Sequence, residues 1–198
     1  MFTEQSFSVF EVEGLDERMA AIRSIIQPIF QTVGEDLRQS LQEEWPQPLF
    51  LHIAQHRRRT VCPPECTWMA IGTHKRGYKM EAHFQLVIWP EYVGIWLSMI
   101  DQPKEKARMA QYLLENKPIL QQLPKDFLLS PDHTQSSTYG MDEADQWMNR
   151  FKTVKKSELQ IGRIIKKDDG IWQTPAQARD YLLATYQMLL PLFRLLHQ

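Results

Sequence analysis

The sequence predicts a single α+β domain built on an antiparallel sheet of about four to six strands, with helices packed mainly on one face. Three observations carry this expectation. The middle of the chain holds short runs rich in β-branched and aromatic residues. The links between those runs are too short for parallel crossovers. Helical periodicity is confined to the segments before and after them. At 198 residues the chain is read as one domain over 1–198, long enough to bury a substantial core.

In chain order, Phe7, Val9 and Glu11 alternate with Ser8, Phe10 and Val12, which predicts a short strand. Asp16 suits the cap of a helix through 17–26, whose Met19, Ile22, Ile25 and Ile26 share one face. Pro28 has no N–H to donate and should end or kink that helix. A second helical stretch from Gly34 to about Trp45 is stopped by Pro46 and Pro48. Strands follow over 49–56, 67–74, 82–89 and 93–100, and the short Pro90-Glu91-Tyr92 link makes the last two antiparallel. Pro103 opens a helix toward Asn116 that continues through 119–123. Residues 127–129 suggest a brief strand, and Ser130–Gly140 (SPDHTQSSTYG) is loop by composition. Asp142 can cap a helix carrying Ala144, Trp147, Met148 and Phe151 on one face, and 158–166 reads as a further strand. The last helix is the best marked, with Thr174 at the cap, Pro175 at the first helical position and Gln177 at the third. Its buried stripe is Tyr181, Leu182, Thr185, Met188, Leu189, Leu192 and Leu196.

Composition excludes several classes. Hydrophobic residues make up 43% and charged residues 24%, ordinary for a globular protein. Lysine and arginine total 23 against 24 acidic residues, which argues against a protein that coats nucleic acid, though not against a local basic patch. The N-terminal segment lacks the basic and apolar regions of a secretory signal, and no apolar run reaches the roughly 20 residues of a membrane span. Two cysteines without a disulfide framework fit a cytoplasmic protein.

Alternation sorts the central strands into two faces, because successive side chains point oppositely. One is aliphatic: Leu49, Leu51 and Ile53, then Met69 and Ile71, then Phe84, Leu86 and Ile88, then Val93, Ile95, Leu97 and Met99. Helices should cover it, each buried side chain contributing roughly 1.5–3 kcal/mol. The other face mixes His52, Trp68, His83, Gln85, Trp89, Trp96 and Ser98 with small residues. Small residues leave room, aromatics offer stacking and polar groups orient a ligand, so this face is a candidate pocket. Its alternative is a partly polar second core under a loop.

His52, His56, Cys62 and Cys66 raise the question of zinc. The segment around the histidines reads as a strand, which would hold them about 13 Å apart. A single metal needs donors about 2 Å away. No metal and no cofactor is expected. A second cluster is more suggestive. Between Arg57 and Lys79 lie Arg57, Arg58, Arg59, Lys75, Arg76 and Lys79, opposed by Glu65 alone. Guanidinium forks suit phosphate or carboxylate, and Tyr78 adds an aromatic beside the charges. In a plain meander the two halves of this cluster would leave opposite ends of the sheet, so their convergence does not follow from order alone.

Five stretches carry a resemblance: LDERMAAI at 15–22, RRTVCPPECTW at 58–68, KRGYK at 75–79, HFQ at 83–85 and DHT at 132–134. In this order they resemble the YktB-like family of bacterial proteins of unknown function. The resemblance implies one α+β domain in a bacterial cytoplasm and supplies no catalytic residues. The family pattern does not require cysteine where Cys62 and Cys66 stand, which weakens the zinc idea further.

The expected function is binding of an anionic, phosphate-bearing ligand, a small molecule or single-stranded nucleic acid. Arg57, Arg58, Arg59, Arg76 and Lys79 would grip it, with His52, Trp68, Tyr78 and Trp96 as the aromatic wall. An alternative is a hydrolase using His83 or His133 as general acid or base, paired with Asp132 or Glu81. No nucleophile elbow, phosphate loop or zinc-protease helix marks such an enzyme. A third reading is a structural or partner-binding domain whose second face is an exposed aromatic patch.

Overall fold

The chain folds as one α+β domain, and strand alternation sets its layers. The computed structural model describes residues 1–101 and 103–198. The strands among them are β1 (Phe50–Ile53), β2 (Thr67–Gly72), β3 (His83–Ile88), β4 (Tyr92–Met99), β5 (Leu128–Ser130), β6 (Tyr139–Gly140) and β7 (Leu159–Lys166). These seven form a single sheet in the order β1-β2-β3-β4-β7-β5-β6, antiparallel at every pairing. The count exceeds the expected range because β6 lies inside the stretch read as loop. A two-residue strand has no period to read.

The aliphatic face is buried as expected. Met69, Ile71, Phe84, Leu86, Ile88, Val93, Ile95, Leu97 and Met99 belong to one core. Helix α3 (Gln27–Gln42) lies against β1 and β2, and α7 (Pro175–Leu196) against β4 and β7. In α7, Met188 is exposed, while Tyr186 and Phe193 join the buried side. Phe193 stacks on Phe84 with ring centroids 4.5 Å apart. Thr174 stands at the cap position of α7, but its side chain makes no capping bond. The other helices are α1 (Glu4–Ser8), α2 (Leu15–Ala21), α4 (Lys106–Glu115), α5 (Lys117–Gln121) and α6 (Ala144–Thr153).

Two local expectations are corrected. The stretch Phe7–Val12 is not a strand. It continues α1 as a 3-10 turn over Val9–Glu11, and Phe7 and Phe10 are buried together at helical spacing. Phe2 anchors this end edge-on against Phe30 and Trp172. Pro28 does not end its helix either. A π-helical turn over Ile22–Ile26 bridges α2 and α3, and its wider ladder accommodates the proline that lacks an N–H. Ile22, Ile26, Phe30, Leu37 and Leu41 thereby stay on one fully buried stripe.

The second face is layered by cross-strand register. Ala70, Gln85, Trp96, Gly162 and Leu128 form one row across β2, β3, β4, β7 and β5. His83, Ser98, Gln160 and Ser130 form the next. Trp96 is buried and lies flat over Gly94 and Gly162: a Cβ on Gly94 would meet Trp96 Nε1 at 2.1 Å, and one on Gly162 would meet Trp96 Cε3 at 2.8 Å. In the polar row, Gln160 Nε2 donates to Ser98 Oγ at 2.7 Å and to Gln85 Oε1 at 3.2 Å, satisfying groups that burial would otherwise penalise.

Candidate functional site

Three connections fold over the second face. The first, 54–66, joins β1 to β2. It turns at His56, whose φ is 48°, and Arg59 holds its far side by donating to the Cys62 and Pro63 carbonyls at 3.3 and 3.5 Å. The second, 73–82, joins β2 to β3 and folds back over the sheet. Gly72 presents no side chain there, and Tyr78 fills the space, a Cβ on Gly72 falling 3.3 Å from that of Tyr78. The tyrosine ring covers His83 (centroids 4.8 Å) and His52 (5.2 Å), and its hydroxyl accepts from Trp68 Nε1 at 2.6 Å. The third, 131–138, joins β5 to β6. Asp132 Oδ1 accepts from the Thr134 amide and hydroxyl, fixing a turn that presents His133.

Where these connections meet there is a cavity of about 600 Å³. Its aromatic wall is Trp68, Tyr78 and Trp89, with His56 and His133 beside them. The imidazoles of His56 and His133 both meet the Trp68 indole edge-on, with centroids 5.2 and 6.1 Å away. Its charged lining is Arg57, Arg58, Arg59 and Lys79 against Glu65 and Asp101, a net of two positive charges. Lys79 donates to Asp101 at 3.2 Å and stands 5.8 Å from the Trp68 ring centre. Arg59 is committed to its loop. Arg57 and Arg58 are exposed and have no side-chain partner among the described residues.

His56 and Asp101 are the non-glycine residues with positive φ among those described, at 48° and 58°, and both line this cavity. Sparsely populated backbone conformations persist where surrounding contacts over-determine them, and they concentrate at functional sites. A larger recess of about 700 Å³ lies along β1 and α3. There Arg38 is already neutralised by Glu35 at 2.6 Å, so that recess offers a ligand less charge.

Thus the structure gathers Arg57, Arg58, Arg59, Tyr78, Lys79 and Trp68. It leaves Arg76 outside the cavity, exposed on the outer part of the 73–82 connection. His52 supports Tyr78 from beneath, its Nε2 donating to the His74 carbonyl at 2.9 Å. Trp96 is sealed in the sheet. The partial convergence has a simple cause: the 73–82 connection doubles back, so Tyr78 and Lys79 reach the end of the sheet where the arginines emerge.

The general-base expectations are corrected in their pairings. His133 does not pair with Asp132. Its Nδ1 donates to Glu158 Oε2 at 2.6 Å, and its backbone amide reaches the same oxygen at 3.1 Å. Glu158 Oε1 accepts from the Asp101 amide at 2.8 Å. Despite burial, the hydrogen bonds from the His133 side chain and amide and from the Asp101 amide hold the Glu158 carboxyl below its ordinary range, so it is ionised at neutral pH. The Glu81 carboxylate serves Thr73 and His74 instead, both at 2.6 Å. His83 is fully buried, and its Nδ1 donates to the Glu81 carbonyl at 2.9 Å. With Tyr78 over it, His83 does not line the cavity.

Burial pushes His83 from 6.5 down to about 4. Between those values the unfolded chain binds a proton that the folded chain refuses, so stability falls as pH drops from about 6.5 toward 4. The expected loss between pH 7 and pH 5 is about 2 kcal/mol from this one group. Urea unfolding of the wild type and of His83→Leu at both pH values checks this. The variant should lose correspondingly less stability, and equal losses contradict the assignment.

The four residues considered for zinc do not come together. His52 is bonded to His74, Cys62 is exposed, and Cys66 is buried beside Trp89 and Trp96 with its thiol pushed up to about 12 by burial. Trp89 and Trp96 are likewise buried under the connections, so the second face is no open aromatic patch.

Comparison with known proteins places the chain in a family. Residues 2–193 match the family described as a domain of unknown function, DUF1054. The chain belongs to that family. It is 55% identical to a UPF0637 protein of Enterococcus faecalis over 197 residues, covering 98% of this chain and 97% of the relative. It is 48% identical to the UPF0637 protein YsbB of Lactococcus lactis, covering 96% and 99%. A UPF0637 protein of Shouchella clausii is 42% identical over 98% of this chain and 93% of its own. These are bacterial proteins, and the YktB-like resemblance points to this same family. Among the described residues no helix of the chain is long and apolar enough to cross a membrane.

Proposed function

We propose that this DUF1054 protein binds a small anionic ligand that carries both a phosphate group and a flat ring. One observation carries the reading: two uncommitted guanidinium groups, Arg57 and Arg58, share a recess with the Trp68, Tyr78 and Trp89 rings. The arginines suit phosphate oxygens, and the half-buried Trp68 and Tyr78 rings offer a stacking surface, with Trp89 buried behind them. A volume of about 600 Å³ is that of a metabolite site, which favours a small molecule over a strand of nucleic acid. Free thiols at Cys62 and Cys66 suit a reducing cytoplasm as the setting.

Phenylphosphonate, a phosphate mimic fused to a ring, is a fitting probe. Titration followed by calorimetry or tryptophan fluorescence should show saturable binding in dilute buffer. The affinity should fall as salt rises, because the arginines sit at a solvent-exposed lip where ions screen them. Binding indifferent to salt, or no saturable binding at all, contradicts the reading.

A further inference from the structure

The same cavity holds a second arrangement that binding alone does not use. His133 lines it, with Nδ1 spent on Glu158, which leaves Nε2 as the ring's remaining functional nitrogen. Its orientation is fixed from three sides: by the Glu158 carboxylate, by the backbone amide bonded to the same oxygen, and by the Asp132 turn. The Asp101 amide locks the other oxygen of Glu158, tying this pair to the strained residue that also holds Lys79. A histidine whose Nδ1–H is held by a buried carboxylate presents Nε2 as a proton acceptor, and the resulting imidazolium is stabilised by that carboxylate. Asp132, His133 and Glu158 also lie close enough to suggest a cation site. Asp132 Oδ1, His133 Nδ1 and both Glu158 oxygens are already engaged within the chain, so the proton-transfer reading uses the contacts as they stand.

We propose that the cavity hydrolyses phosphate esters, with His133 as general base and Glu158 as its positioning residue. This rests on the reading that the cavity holds a phosphate-bearing ligand. A water molecule attacks phosphorus, and its oxygen forms the new P–O bond while one of its protons passes to His133 Nε2. The bond from phosphorus to the ester oxygen breaks on the opposite side of phosphorus, that oxygen leaves and takes a proton from bulk water, and the imidazolium returns its proton to solvent. The products are an alcohol or phenol and the hydrolysed phosphate. Arg57 and Arg58 offset the charge that gathers on the remaining phosphate oxygens.

The test uses the whole chain with p-nitrophenyl phosphate and bis(p-nitrophenyl) phosphate as substrates and phenylphosphonate as an inert binding probe. His133→Asn is the informative variant. Its side-chain amide can still donate to Glu158 and keep the loop in place, but it has nothing where Nε2 stood. The expected result is release of p-nitrophenol by the wild type, and a fall in kcat of about 100-fold or more in His133→Asn with phenylphosphonate affinity kept. Glu158→Gln should lower kcat more than it changes KM, and should alter the pH profile of kcat, which a merely structural role would leave in place. If His133→Asn hydrolyses as fast as the wild type, the proposal is overturned. If phenylphosphonate binds but neither ester is hydrolysed, the proposal falls while the binding reading stands. If the probe does not bind and neither ester turns over, both fall.

Discussion

Replacing Gly162 by alanine is expected to destabilise the protein by about 3 kcal/mol, at the upper end of overpacking costs. Gly162 sits in the middle of β7, paired with Trp96 on one side and Leu128 on the other. An added Cβ would stand 1.8 Å from the Ile95 carbonyl oxygen and 2.8 Å from Trp96 Cε3. The first of these is backbone and has no rotamer to escape into. Relief requires either parting β4 from β7 or lifting the indole of Trp96 out of its trough. Parting the strands stretches the longest ladder in the sheet, and lifting the indole disturbs the cluster of Val87, Trp89 and Tyr92 beneath the cavity. Gly170→Ala is the matched control, since a Cβ there meets nothing within 4 Å. Urea unfolding should separate the two variants clearly. A Gly162→Ala protein as stable as the control would mean that β4 and β7 are not paired as described.

The second large effect concerns binding. Replacing Arg57 and Arg58 together by alanine is expected to weaken phenylphosphonate binding by about 10- to 100-fold. Two charge-assisted hydrogen-bond donors would contribute about 1.5–3 kcal/mol each if dry. Both arginines are exposed, so screening lowers this to a total of roughly 1.4–2.7 kcal/mol, which corresponds to the stated range. Neither side chain has another partner among the described residues, so the melting temperature should stay within a degree or two of wild type, in keeping with surface substitutions of about ±0.5 kcal/mol. Arg59→Ala differs, because it releases the Cys62 and Pro63 carbonyls and loosens the loop itself. Lys79→Ala should cost less affinity than the double variant, since Asp101 already holds that ammonium. A double variant that binds as tightly as the wild type contradicts the assignment of the anion grip.

Most of the central sheet was legible in the sequence because alternation over Met69–Ile71, Phe84–Ile88 and Val93–Met99 marks one buried face without ambiguity. Where elements are short, periodicity fails. Residues Phe7–Val12 satisfy a strand template and a helical one equally well, and only docking of Phe2 and Phe10 into the core decides between them. β6 is too short to show any period. Phe50 belongs with the second face through its pairing with Gly72, a position the alternation implied but the aliphatic neighbours Leu49 and Leu51 obscured.

The candidate site was legible as chemistry and not as geometry. The run Arg57–Arg59 and the Tyr78-Lys79 pair announced themselves by composition. Their meeting depends on a connection that folds back through Tyr78, and that fold rests on the small size of Gly72 and the bond from Trp68. Glu158 carried no local signal. It becomes the partner of His133 only because β7 inserts between β4 and β5, a long-range pairing that no short window of sequence contains. Asp132, adjacent in sequence, was the natural choice for that role, and its carboxylate is instead occupied in turning the chain.

The most direct measurement is the position of phenylphosphonate in crystals of the complex. The phosphonate should lie within hydrogen-bonding distance of the Arg57 or Arg58 guanidinium, with its ring against Trp68 or Tyr78. A ligand seated elsewhere, or an empty cavity in crystals grown at saturating phenylphosphonate, would contradict the account.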